Sequence, residues 1–384
     1  MKWINFNFHY IFILIIIRSI CYAIRFIIEF EYKKYFKDPI IKLFLLSIGQ
    51  SLAIFFYFIQ KKINENKLGI KTDKNDKYIK PTNNKTRFFI FICAILNLFT
   101  TYNYSIFYSF KMKKVYDNSL DIDMTYICLF IPYIEKKYLK IDFYIHHYLG
   151  LSLIFISIFS GILLYFIKDF EIFYSIEFIY HILICLETEF ILSQLYLIET
   201  KLIFESYQNI YIICFLEGIF EILILLLYFF IYYLYHFGNL NNFFNSLNLS
   251  IEISHISELY RIILFSILLI FLILIINISR LIIIEKTRPS HITIANLLFV
   301  FITTIYYLHD KTIELVFAII PIIIGLLGSL IFCEVISLNF CNLNLFTINR
   351  IRDRADSDTR NTILLQIEFL NEKINEEKST NNIQ

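Results

Sequence analysis

Unbroken apolar runs constrain this chain more than any other feature. Residues 9–18 read HYIFILIIIR, residues 262–276 read IILFSILLIFLILII, and residues 314–332 read ELVFAIIPIIIGLLGSLIF. A bilayer span needs roughly 17 to 25 mostly apolar residues, and such a run satisfies its own backbone in lipid only as a helix. Of the 384 residues, 58% are hydrophobic, including 42 Phe and 28 Tyr, which is more than a water-facing fold hides easily. Charges punctuate the runs and do not alternate within them. The expectation is an all-α, polytopic membrane protein of about ten spans. They lie near residues 7–24, 40–59, 88–109, 121–135, 149–167, 172–197, 208–233, 260–280, 290–308 and 313–332. The fourth, in DIDMTYICLFIPYIEKK, is short, starts acidic and contains Pro132, so it needs partner helices around it. The first run has no small-residue cleavage site after it and reads as an uncleaved span.

Lysine and arginine orient the spans. With the N terminus in the cytosol, the segments on that side are Lys2, the 60–87 and 136–148 loops, Lys201, the 280–289 loop and everything from residue 333. They hold 23 Lys/Arg against 9 on the other side. Both termini are therefore expected to be cytosolic. The loop 235–258 has no Lys or Arg and carries the sequon Asn248-Leu249-Ser250, which fits the opposite side. The Lys-rich 60–87 loop reads as flexible, and the tail 346–384 includes an amphipathic helix with Ile363, Leu364, Ile367, Leu370 and Ile374 at helical spacing.

Polar groups inside spans are the candidate site. A carboxylate in hydrocarbon costs about 3 kcal/mol or more, so it faces a bundle interior or a watery cavity. In LETEFILSQLYLIETK (186–201), Glu187 and Gln194 are seven residues apart and share a helical face, with Glu189 pointing elsewhere. Glu217 and Glu221 share a face of the next span, and Gly218 between them admits a close neighbour helix. Asn277 lies near the end of the eighth span. Arg18, in the first, either snorkels or faces a cavity.

Other chemistries find little support. The net charge of +2 and the absence of a basic, aromatic-interleaved face exclude a nucleic-acid partner. The seven Cys form no C-x-x-C pair and the eight His no metal-ligand spacing, so no metal or cofactor is expected. No G-x-S-x-G or Walker-type loop is present, and no catalytic set is assigned; His146-His147 at a span edge is the nearest approach to one.

Several motifs resemble the drug/metabolite transporter superfamily, in its nucleotide-sugar-transporter-like (solute carrier 35-like, F6-type) branch. PIIKLFLLSIGQSLAIFFY (39–57) is similar to that branch's second helix, with Gly49 kept and Gln50 where Glu is usual. YLGLSLIFISIFSGILLYF (148–166), with Gly150 and Gly161, resembles the fifth. Glu187, Gln194 and Glu199-Thr200-Lys201 resemble the sixth, Glu217-Gly218 the seventh, and IIGLLGSLIFCEVISLNF (323–340), with Gly325, Gly328 and Glu334, the last. The resemblance spans about residues 8 to 345. It implies a membrane domain over 1–345 made of two inverted five-helix repeats, about 8–168 and 172–335, around a central cavity. Two features depart from the pattern. The fourth helix has Asp121 and Asp123 without an Arg, and 295–308 lacks a mid-helix Arg, which argues against nucleotide or sugar-phosphate binding.

The reading is thus secondary transport of a small polar solute by alternating access, with proton coupling open, in an endomembrane, as monomer or homodimer. The alternative is a scaffold that retains the fold. Glu187, Gln194, Glu217, Asn277, Gln50 and Tyr104 are the expected cavity walls.

Overall fold

A computed structural model describes residues 8–31, 39–68, 83–109, 123–141, 143–168, 176–235, 256–309 and 312–336. The expected tail helix, the Asn248 sequon and residues 69–82 of the Lys-rich loop lie outside them. The described residues are helical, with no strand. The helices are α1 (Phe8–Glu31), α2 (Pro39–Ser51), α3 (Ala53–Leu68), α4 (Asn84–Ser109), α5 (Asp123–Lys137), α6 (Ile145–Lys168), α7 (Ile176–Phe204), α8 (Ile210–Tyr235), α9 (Ile256–Lys286), α10 (His291–Leu308) and α11 (Thr312–Phe332). A turn at Leu52 separates α2 from α3, and the bonds Leu52 N–Ile48 O (3.2 Å) and Phe55 N–Leu52 O (3.1 Å) carry the chain across it as one rod. Each expected span thus coincides with one rod.

Seven of the rods are long and apolar enough to cross a membrane. Their outward faces match: Phe55, Phe58 and Ile59 on α3, and Leu226, Leu227, Phe230 and Ile231 on α8, are all exposed. Apolar surface of that extent is stable against acyl chains and unstable in water. The chain is a multi-pass membrane protein on these grounds.

Lipid gives helices no hydrophobic reason to associate, so close approach at small residues and buried polar bonds hold the bundle. The α6–α11 crossing is the most extensive. A Cβ on Gly150 would lie 2.6 Å from Phe332 N, and one on Gly328 would lie 2.7 Å from Gly150 O. Ser157 Oγ of α6 donates to Pro321 O of α11 at 2.7 Å and pins the same pair. Around this crossing, α1 packs on α9 and α10, α7 on α4 and α5, α2 on α8 and α9, α4 on α8, and α10 on α11. Helix α10 is the most enclosed, with 67% of its span buried.

Several helices run past their expected limits, α1 to Glu31 and α7 to Phe204 among them, and two of these extensions bear on the reading of the loops. Helix α3 continues to Leu68, into the stretch read as a flexible loop. Helix α9 runs to Lys286, six residues past the expected limit, because LIII (281–284) continues its apolar pattern. Arg280, expected in a loop, is therefore inside a helix and buried.

Side-chain bonds tie several of the described connections between helices together. Asn209 Nδ2 donates to Gln60 Oε1 at 3.1 Å. Glu135 Oε1 accepts the Ser290 N–H at 2.8 Å, placing a carboxylate on the N-terminus of α10, where backbone N–H groups lack helical partners. The end of α11 joins them through Glu334, in the left-handed region at φ 60°.

Candidate functional site: a polar cavity between two arginines

Inside the bundle lies a cavity of about 50 Å³, room for a few water molecules. Six helices wall it. Arg18, Tyr22 and Arg25 come from α1, Asn97 and Thr100 from α4, Tyr196 from α7, Asn277 and Arg280 from α9, and Asn296 from α10, with Leu46 of α2 closing one side. Arg18 and Asn97 sit near the middle of their helices, which puts the cavity at mid-span.

Helix α9 brings its polar residues in through one stripe. Asn277 and Arg280 are three apart on the face that also buries Ile273 and Ile276. Asn277 Nδ2 donates back to Ile273 O at 3.1 Å. Arg280 is 4% exposed. Its Nη2 lies 2.7 Å from Glu199 Oε1 and 3.5 Å from Glu217 Oε2. The first contact is a meeting of charges without an aligned hydrogen bond, since Arg280 Nε and Nη2 both lack a hydrogen-bond partner. Arg280 also lies over the Tyr196 ring, 5.9 Å from its centroid. Arg18, again 4% exposed, donates through Nη1 to the Ile276 carbonyl. Arg25 is held by Glu29 at 2.7 Å, which Lys42 approaches at 3.3 Å.

Behind the α4 wall is a second polar set. Asn97 Nδ2 donates to Glu221 Oε1 at 2.8 Å. With its amide turned so that both ends are satisfied, Gln50 donates to the two Glu221 oxygens at 2.8 and 2.7 Å and accepts from Asn97 Nδ2 at 2.8 Å. Glu221 is thus fully buried and saturated with donors, as a buried carboxylate must be. Gly218, one turn earlier, lets α8 touch the backbone of Ser47 and Ser51, which places Gln50 within reach.

The expected wall residues distribute as follows. Asn277 lines the cavity. Gln50 is buried one layer behind it, bonded to Glu221, and Glu217 is buried beside Arg280. Neither is among the residues around the cavity. Glu187 is on an exposed face of α7 and Gln194 is half-buried, so this pair does not wall the cavity. The inward stripe of α7 is Glu189, Ser193, Tyr196 and Glu199, about 200° round the helix from Glu187. The Tyr104 side chain lies outside the described residues. Sequence reasoning did not single out Arg25, Asn97, Tyr196, Arg280 or Asn296. The signal for Arg280 was available: an Arg with apolar residues on both sides, INISRLIII, is not a loop residue.

Between the start of α6 and the end of α11, His146 and His147 converge on Glu334 Oε1, with Nε2 distances of 3.0 and 3.3 Å. Three ligand atoms this close have the composition of a metal site. Two neighbours oppose that use. His147 Nδ1 accepts the Tyr144 N–H at 3.1 Å, so the proton of the neutral ring is on Nε2, the atom a metal would need. Arg288 Nη2 stands 3.4 Å from the same Nε2 and donates to Phe332 O at 3.0 Å, placing a cation where the metal would sit. The cluster works instead as a hydrogen-bonded latch between the start of α6, the α9–α10 turn and the end of α11.

A search of known protein families and of curated proteins returns no match to this chain.

Proposed function

We propose that the chain is a secondary carrier that moves a small polar solute across a membrane by alternating access. One observation carries the reading: a partly open cavity within the bundle whose walls include amides, hydroxyls and guanidinium groups drawn from both halves of the chain, α1 and α4 on one side and α7, α9 and α10 on the other. A scaffold has no use for so many polar groups sequestered from lipid, since each is costly there.

The two-repeat arrangement receives support from the helix pairings. Counting α2–α3 as one rod gives ten. Replacing each rod by the one five places away turns α1–α9 into α7–α4, α1–α10 into α7–α5, α2–α9 into α8–α4, and α10–α11 into α5–α6, all of which are contacts. The α2–α8, α5–α10 and α6–α11 contacts map onto themselves. Two halves of opposite topology, about 8–168 and 172–335, rocking about the cavity fit this pattern. Membership in the F6-type branch, an endomembrane location and cytosolic termini belong to the same proposal.

The small volume, about 50 Å³, favours a second reading in which the space is permanently shut and the protein is a scaffold. Cysteine accessibility separates the two. In a variant freed of its native cysteines, Asn277→Cys or Thr100→Cys is exposed to a membrane-impermeant thiol reagent from each face of sealed vesicles. A carrier is modified from both faces; modification from neither overturns the proposal.

A further inference from the structure

Three arginines line the cavity; Arg25 is paired with Glu29, and the other two, Arg18 and Arg280, are only partly satisfied. Arg18 has no carboxylate partner among the described residues, and its Nε has no hydrogen-bond acceptor. Arg280 has Glu199 and Glu217 near it, yet its Nε and Nη2 are left without hydrogen bonds. Both side chains are 4% exposed and both face the same cavity. Among the described residues no carboxylate lines that cavity; its remaining polar walls include Arg25, held by Glu29, and the neutral Asn97, Thr100, Asn277 and Asn296. A desolvated guanidinium with donors left over is unfavourable, and Arg18, with one carbonyl acceptor, and Arg280, with Nε and Nη2 unbonded, together define a place for negative charge. The guanidinium fork matches oxyanions, carboxylate or phosphate, through paired N–H donors. The amide groups suit the remaining oxygens.

We propose that the cavity takes the anionic group of its solute, a carboxylate or phosphate, between Arg18 and Arg280, and that Glu199 is the resident counter-ion the solute displaces from Arg280. The solute's role as cargo rests on the carrier reading above; its binding does not. Glu199 is suited to the part. It is fully buried on α7, it touches Arg280 from behind the cavity wall, and its contact is unaligned, so an incoming oxyanion with aligned acceptors competes with it. The absence of an Arg in residues 295–308 is no obstacle, because the cations arrive from α1 and α9.

The test is ligand-dependent melting of the purified full chain in nanodiscs with inorganic phosphate, succinate, choline or glucose. Phosphate or succinate is expected to raise the midpoint, and choline and glucose are not. Glu199→Gln removes the competitor and should lower the half-saturating anion concentration about tenfold, the worth of one charge-assisted contact. Arg18→Gln should abolish the shift. The proposal is overturned if neither anion raises the midpoint, if choline or glucose does so equally, or if Glu199→Gln weakens anion binding. The wild-type and Glu199→Gln arms decide even where Arg18→Gln fails to fold. Anion binding together with an Asn277→Cys that is reached from neither face leaves this inference standing and removes the carrier; two-sided accessibility without an anion shift does the reverse.

Discussion

Gly218→Ala tests how the polar layer behind the cavity is held. A Cβ at this position would lie 2.5 Å from Ser51 N, 2.7 Å from Ser47 O and 3.0 Å from Gln50 C. All three are backbone atoms, so no rotamer change relieves the clash. Ordinary contact begins near 3.4 Å, and α2 and α8 must therefore part by about 0.9 Å. The same movement carries Gln50 from 2.7–2.8 Å to about 3.6 Å from Glu221, past hydrogen-bond range. Overpacking costs roughly 1–3 kcal/mol. A lost bond to a buried carboxylate adds about 1.5–3 kcal/mol. The sum, at least about 2.5 kcal/mol, should appear as a large drop in the thermal midpoint in detergent, followed with a thiol-reactive dye that reports exposure of the buried Cys93 and Cys214. Gly49→Ala is the internal comparison. Its nearest obstacle is the Ile273 side-chain Cγ2 at 2.8 Å, which has some freedom to turn, so its cost should be nearer 1 kcal/mol. A Gly218→Ala protein that melts with the wild type, or one less affected than Gly49→Ala, would refute the reasoning.

Arg280→Met removes the cation that Glu199 and Glu217 both contact and should cost about 3–5 kcal/mol. Adding Glu199→Gln and Glu217→Gln should recover much of that loss, and thermal midpoints of the single and triple variants that simply add would contradict it. At the latch, His146→Ala and His147→Ala should each cost about 1–2 kcal/mol through the lost contact with Glu334. Micromolar zinc should leave the wild-type midpoint unchanged; a zinc-dependent rise would show that Arg288 moves aside and that the cluster is a metal site after all.

Much of the fold was legible because span length and lipid solvation are one-dimensional properties. Ten apolar runs become ten rods, and even the weak fourth is present, its Pro132 inside α5 and its Glu135 used on α10. The site was harder to read, for a reason visible on α7. Glu187 and Gln194 are seven apart, and so are Glu189 and Tyr196; both stripes offer polar groups, and periodicity cannot say which faces protein. What decides is the neighbour. The inward stripe is the one that meets Arg280, and the rule that positive charges near a span end usually lie in a loop places Arg280 outside the bundle. The two errors are one error. With Arg280 in the loop, Glu199 has no partner and looks like an interfacial acid, and the face carrying Glu187 becomes the better candidate. With α9 extended through its LIII segment, Arg280 enters the bundle, requires an anion, and selects the Glu199 stripe. A buried charge is therefore read correctly only together with its counter-ion, and Arg18, which has no carboxylate in salt-bridge contact among the described residues, is the place where a ligand has most to contribute.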